Sequence, residues 1–348
     1  MSLEILEVAN HRQLTEFCLF PKKIYSPGEY PVATGDPGKI FNPEQNPVMH
    51  HLKGCCFMAF RNGRAVGRVA AIKDLLNPDQ ETGFFSCFEC EKDPGAASGL
   101  LEKAYQWLET NGCTKMLGPA TFNTNQQVGI LVEGFERGYQ PMMPYNPPYY
   151  PELMEAAGLE KLTDLLSFHW WREMGVPEKV SSALQRVREI PGVTLRRINS
   201  AGPGRDMELV RQVYNLSMSE NWGFIPLTRA EAGAMLNYCA RFADPDLLLA
   251  LMVNNKPAGI LLFTPSPLPS RPGVKSVRGA IIGIIPAFRH KGLDSLMMAE
   301  AINILNRKGY HEADLSQVHE ENKVMLKIIT KVLKAEQTRR FRIYRNKA

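Results

Sequence analysis

Two stretches of this chain follow one plan, and a repeated plan limits the fold more than any single motif does. Residues 57–74, FMAFRNGRAVGRVAAIKD, read as two apolar strands turning at Asn62-Gly63, a pair favoured in two-residue hairpins because both turn positions need positive φ. Residues 247–265, LLLALMVNNKPAGILLFTP, repeat that pattern around Asn254-Asn255. Each hairpin leads into another apolar strand, GFFSCFEC at 83–90 and VRGAIIGII at 277–285. Each then continues into a segment with apolar residues at i, i+3 and i+4, the period of a helix buried on one face. Both helices stop at glycine, Gly112 and Gly309, where a left-handed residue ends a helix. Short strands near 114–118 and 311–317, a second helix and a final strand complete each half. The hairpin glycines Gly67 and Gly259 lie 192 residues apart, and the helix-end glycines 197 apart. The chain therefore reads as a duplicated α/β unit. Each unit is expected to be a mixed, mostly antiparallel twisted sheet flanked by helices, spanning 1–175 and 176–348 and meeting near Gly175-Val176-Pro177.

A chain of 348 residues has room for two cores at roughly 150 residues per domain. With 44% hydrophobic and 22% charged residues, neither disorder nor a fibrous chain is expected. The polar start MSLEILEVANHRQLTEF lacks a signal-peptide pattern, and no run of about 18 apolar residues occurs, so a cytoplasmic protein without a membrane partner is expected. Seven cysteines include the adjacent pair Cys55-Cys56, a spacing that suits neither disulfides nor zinc. Cys87 and Cys90 form one CxxC with no second pair, so they read as small core residues on a strand and no metal is expected. Net charge is +5, yet residues 331–348 carry seven of the 41 basic residues and one of the 36 acidic, leaving a body of 34 against 35. Nucleic acid is therefore not an expected partner. The tail, with Arg339, Arg340, Arg342 and Arg345, reads as a solvated edge strand guarded by charge.

The glycine-opened helix of the second half carries the clearest chemistry. It begins Arg289-His290-Lys291-Gly292-Leu293-Asp294, after IIGIIPAF. The first amides of a helix have no partner within it, and with the macrodipole they attract anions. Gly292 lets backbone approach a phosphate closely, and Arg289 and Lys291 add charge. The element order and this loop resemble the GNAT superfamily of N-acyltransferases, best over residues 193–345. The family writes its acyl-CoA pyrophosphate loop as Arg or Gln, two residues, Gly, one residue, then Gly or Ala. The resemblance implies that Ile284, Ile285, Arg289, His290, Lys291, Gly292, Leu293, Asp294 and Asn322 hold acetyl-CoA or another acyl-CoA. It places an oxyanion on backbone donors near Ile284 and an asparagine, here Asn322, at the start of the second helix.

Three positions depart from the family. Asp294 stands where Gly or Ala is usual; its carboxylate either competes with phosphate for the amides or stabilises the helix start through the dipole. Ile329 stands where a general-acid tyrosine is usual, and Lys334 where a glycine is. Tyr344 is the alternative hydroxyl, or a packed strand aromatic. Asp314, Ser316 and His319 can position or deprotonate an amine, or are satisfied structural groups.

The first half keeps the pattern without the loop. Its helix opens Asp93-Pro94-Gly95-Ala96-Ala97-Ser98-Gly99, without Arg or Gln before a glycine, and it resembles a degenerate GNAT-like domain. It carries about twenty extra residues near 121–146, rich in amides and aromatics. Asn123, Asn125, Tyr145, Asn146 and Tyr149 are the residues expected to contact an acceptor there; the other reading is a loop packed on its own domain. Tandem relatives such as mycothiol synthase and the Fem peptidyltransferases pair an acyl-donor domain with one that shapes the acceptor site. The expected activity is acyl-CoA-dependent transfer of an acetyl or other short acyl group to a primary amine of a small molecule or peptide. The alternative is an inactive GNAT-like module that binds a ligand or a protein.

Overall fold

In the computed structural model, which describes residues 2–29, 34–140, 142–175, 177–178, 180, 190–200, 206–266 and 273–347, both hairpins turn where the sequence places them. Asn62 and Gly63 have φ of 50° and 76°, and Asn254 and Asn255 have 49° and 61°, so both turns use left-handed backbone that Asn and Gly adopt at low cost. Val176, at the boundary read from the sequence, lies outside the described residues.

The chain forms two compact units, Met1–Leu165 with Gly223–Ile225 and Arg340–Ala348, and Leu166–Trp222 with Pro226–Arg339. The strands are β1 (Leu3–Glu7), β2 (Leu52–Arg61), β3 (Arg64–Asp74), β4 (Thr82–Cys90), β5 (Lys115–Ala120), β6 (Ile130–Glu133), β7 (Glu160–Trp171), β8 (Val193–Arg197), β9 (Leu248–Val253), β10 (Lys256–Pro265), β11 (Ser276–Ile284), β12 (Glu312–His319) and β13 (Glu336–Arg345). The helices are α1 (His11–Leu19), α2 (Pro37–Ile40), α3 (Pro94–Thr110), α4 (Tyr150–Ala156), α5 (Asp206–Met218), α6 (Arg229–Phe242), α7 (Leu293–Arg307) and α8 (Lys323–Lys327).

In the first unit β1, β2, β3 and β4 pair antiparallel in order, and β5 joins β4 in parallel. Helix α3 turns Ala96, Ala97, Leu100, Leu101, Ala104 and Leu108 inward, a stripe at helical spacing that packs on this sheet. The second unit repeats the pairing: β8, β9, β10 and β11 are antiparallel, and β12 joins β11 in parallel. Strand β9 shows how the sheet is buried on both faces. Leu249 and Leu251 join one core with α7, while Leu248 and Ala250 join another with α5 and α6. That alternation is the two-residue period of a strand. Gly112 and Gly309, at φ of 80° and 73°, follow α3 and α7 where they were expected. The architecture is mixed α/β with mostly antiparallel sheets flanked by helices.

The basic tail corrects its sequence reading. It is no solvated edge: β13 pairs with β5 and β6 through residues 340–345, and Phe341, Ile343 and Tyr344 are buried. Arg340 and Arg342 both reach the buried carboxylate of Asp164, at 3.1 and 3.0 Å, with Lys161 at 2.9 Å. The charges that looked like an edge guard neutralise a buried acid. Cys87 and Cys90 lie buried on β4. Among the described residues no helix is long and apolar enough to cross a membrane, and no three metal-ligating side chains cluster.

Candidate functional site

In the second unit β11 and β12 pair in parallel from Ser276↔Glu312 to Gly279↔Leu315, and the pairing stops there. Strand β11 continues beside β10 as far as Ile284↔Gly259. Alternate N–H groups of an antiparallel strand point to opposite sides, so along residues 280–284 every second one points away from β10 into the opening left by β12. Ile282 and Ile284 are only partly buried there.

The chain then runs through a short turn, Pro286–Phe288, into the loop 289–294. His290 and Gly292 both take left-handed backbone, at φ of 62° and 73°. Gly292 is the N-cap of α7 and has no side chain to cap the helix, so no side chain covers the amides of Leu293 and Asp294, while the Ser295 N–H donates to the Gly292 carbonyl at 3.0 Å. The equivalent helix of the first unit is closed. The Asp93 carboxylate accepts from the Ala96 N–H at 3.0 Å and holds Arg61 through contacts of 2.6 and 2.8 Å. Two helices in equivalent places thus differ at the feature an anion needs.

Side chains of the loop do not all point to a ligand. Arg289 donates to Glu220 at 2.6 Å, to the Ser217 carbonyl at 2.9 Å and to the Ile284 carbonyl at 3.1 Å, so it braces the loop against the end of α5. Lys291 lies over the Phe288 ring at 5.6 Å. The Asp294 carboxylate makes no hydrogen bond or ion pair among the described residues. Asn322 caps α8, its side chain accepting from the Met325 N–H at 3.1 Å. Ile329 is 4% exposed in the second unit's core, and Lys334 takes φ of 57° where glycine was expected.

Asp314 and Ser316 sit at the parting of the strands. The Arg278 guanidinium donates to the Ser316 hydroxyl at 3.0 Å and to its carbonyl at 3.1 Å, and Arg339 lies 3.7 Å from Asp314. Burial lowers the Arg278 pKa, and the charge of Asp314 opposes that. Both candidates are therefore buried members of an ionic network. His319 stacks with Trp222 at 5.6 Å between centroids, and burial lowers its pKa. Tyr344 belongs to the other unit, where it is 1% exposed within the first core.

The expected acceptor residues fall into two groups. Tyr145 and Asn146 line a pocket in the first unit, whereas Asn123, Asn125 and Tyr149 are not on its wall. Asn123 donates to Asp74 at 2.8 Å, Asn125 donates to the Ile225 carbonyl at 3.0 Å, and Tyr149 donates to the Cys90 carbonyl at 2.9 Å. Asn146 accepts from the Leu131 N–H at 2.7 Å and so clamps β6. The same pocket is lined by Tyr25, Arg68, Glu89 and Tyr150, which sequence reading did not single out. They lie far apart along the chain, and no local spacing marks them.

No protein-family model matches the chain. The chain is 27% identical to the protein named bacterial ceramide synthase of Caulobacter vibrioides (strain NA1000 / CB15N), over 95% of this chain and 94% of that one. It is 28% identical to Protein YghO of Escherichia coli K12, over 74% of this chain and 67% of that one. Among solved structures it is similar to a tandem GNAT protein from the clavulanic acid biosynthesis pathway, with a TM-score of 0.57 and 12% identity over 99% of this chain and 98% of that one. At that identity the likeness is one of fold. The fold is of the GNAT type.

Proposed function

We propose that this protein transfers an acyl group from acyl-CoA to a primary amine, with the acyl-CoA held by Ile284, Ile285, the loop 289–294 and Asn322. One observation carries the reading: β11 parts from β12 and runs into a helix whose first amides no side chain covers. Pyrophosphate at those amides would set the acyl chain along the unpaired edge of β11. The thioester oxygen would accept hydrogen bonds from N–H groups of residues 280–284 while the amine attacks the carbonyl. The neutral amine gives up its N–H proton to solvent as the amide forms, the C–S bond breaks, CoA leaves as thiolate, and the thiolate takes a proton from solvent, since Ile329 offers none. Asp314 and Ser316 act here as positioning residues, holding Arg278 where the strands part.

The fold neighbour named as a GNAT protein supports acyl transfer. The Caulobacter relative is named for an amide product, a ceramide, which supports an amine acceptor and opens the acyl group to long chains as well as acetyl. A second reading, a protein that binds acyl-CoA without turnover, is favoured by Ile329 in the core. The test uses acyl-CoA of two, eight and sixteen carbons with a primary amine. Free CoA is measured by chromatography, because thiol reagents would also titrate the seven free cysteines. Amine-dependent CoA release at any chain length supports transfer. Binding without release supports the second reading, and neither binding nor release would sink both.

A further inference from the structure

The pocket of the first unit lies where β4 leaves β5. Their parallel pairing is disturbed between Phe84 and Ser86 and ends at Ser86↔Ala120, and Cys87 follows with φ of 52°. Glu89, two residues on, is 4% exposed yet forms part of the pocket wall. Its Oε2 accepts from the Tyr25 hydroxyl and from the Tyr150 hydroxyl, each at 2.7 Å. Tyr150 in turn accepts from the Cys90 N–H at 3.1 Å, so its hydroxyl is fixed in direction. Arg68, fully buried, donates to the Phe17 carbonyl at 2.8 Å and stacks on the Phe17 ring at 4.9 Å. A buried carboxylate costs stability unless something repays its dehydration, and apolar residues of equal volume fill a core more cheaply. A pocket beside the carboxylate gives it a use.

The wall supplies the rest of the chemistry. The Tyr145 ring lies 6.4 Å from Tyr25 and 5.7 Å from Tyr139, so aromatic faces gather beside the carboxylate. Both features attract a cation, and the buried Arg68 guanidinium on the same wall offsets part of that pull. The cavity, about 60 Å³, has room for about four to six water-sized groups, enough for a charged head and the first carbons of a chain. The helix amides nearest this strand are closed by Asp93, so phosphate has no comparable cradle here.

We propose that this pocket binds a primary amine, its ammonium held by the Glu89 carboxylate against the faces of Tyr25 and Tyr145. This binding does not depend on the proposed reaction. Burial raises the Glu89 pKa to about 7 against the opposing effects of Arg68, Tyr25 and Tyr150. The other titrating groups around it change far above neutrality: Cys87, Cys90 and Tyr149 at about 12, and Tyr25 and Tyr150 well above 10. Between pH 6 and 8 Glu89 is the member of this cluster that gains charge, so amine binding strengthens by about tenfold over that range.

The test is calorimetric titration of the full-length protein, without acyl-CoA, with n-octylamine, n-octanol and octanoate. The amine is expected to bind at least about tenfold more tightly than the alcohol or the carboxylate, and Glu89→Gln to remove both the preference and the pH dependence. Equal binding of the alcohol, tighter binding of octanoate, or an unaffected Glu89→Gln protein overturns the proposal. If circular dichroism shows that Glu89→Gln does not fold, Tyr25→Phe takes its place. Losing that hydroxyl removes a bond that lowers the Glu89 pKa, so the pH midpoint of amine binding must move upward. An unmoved midpoint overturns the proposal. Acyl-CoA is absent throughout, so failure here is distinct from failure of the proposed reaction.

Discussion

Asp294→Asn separates two physical pictures of the loop. If the carboxylate covered the first amides of α7, removing its charge would free about two charge-assisted hydrogen bonds, each roughly 1.5–3 kcal/mol, and CoA would bind more than about 100-fold tighter. The carboxylate makes no such bond among the described residues, so only repulsion through solvent remains. At ~6 Å in water that is about 0.7 kcal/mol per phosphate charge, or roughly 1–1.5 kcal/mol for a pyrophosphate. Removing it gains about five- to tenfold in affinity. The gain shrinks to about twofold or less in 0.5 M salt, where the screening length is only ~4 Å. Asparagine also gives up the favourable charge at the helix start, so thermal stability falls by about 0.3–1 kcal/mol. The assay is calorimetric titration with CoA at 50 mM and 0.5 M salt. A gain above about 100-fold that survives high salt would refute this reasoning, as would no gain at low salt.

Three further outcomes follow from the geometry. Asp164→Asn leaves Arg340, Arg342 and Lys161 without their shared acid. These cations are partly exposed, so the loss should be about 2–3 kcal/mol, below the 3–5 of a fully buried pair, read by urea unfolding. Burial would raise the Asp164 pKa, but hydrogen bonds from Arg342, Lys161 and Arg340 more than offset that, so it is lowered. Its contribution is present above the unfolded value near 4 and is lost as pH falls below it, and the Asn variant should lack that acid-side decline. Asp93→Ala removes the cap of α3 and should cost about 1 kcal/mol in the same assay, with a further fraction for Arg61. Lys334→Gly relieves left-handed backbone and should stabilise by about 1 kcal/mol; destabilisation would mean the Lys334 side chain holds something that its backbone angle does not reveal.

The legible parts of the fold were those with local causes. Asn62-Gly63 and Asn254-Asn255 demand positive φ within two residues, and Gly112 and Gly309 each end a periodic helix, so hairpins and helix stops could be read directly. Gly292 was readable for the same reason. What could not be read depends on partners far along the chain. Nothing in the sequence showed that Arg289 pairs with Glu220, 69 residues earlier. Arg340 and Arg342 looked like surface charge because Asp164 lies about 176 residues away. Glu89 had no visible role until the fold brought Tyr25 and Tyr150 to it, across 64 and 61 residues.

The central claim is that the start of α7, left open by Gly292, takes the pyrophosphate while the start of α3, closed by Asp93, does not. Amide hydrogen exchange read by mass spectrometry, with and without saturating CoA, compares the two helices in one experiment. Slowed exchange in peptides covering 290–296, with none in those covering 93–99, is the result predicted. Slowing confined to the α3 peptides, or absent from both while calorimetry shows CoA bound, would contradict it.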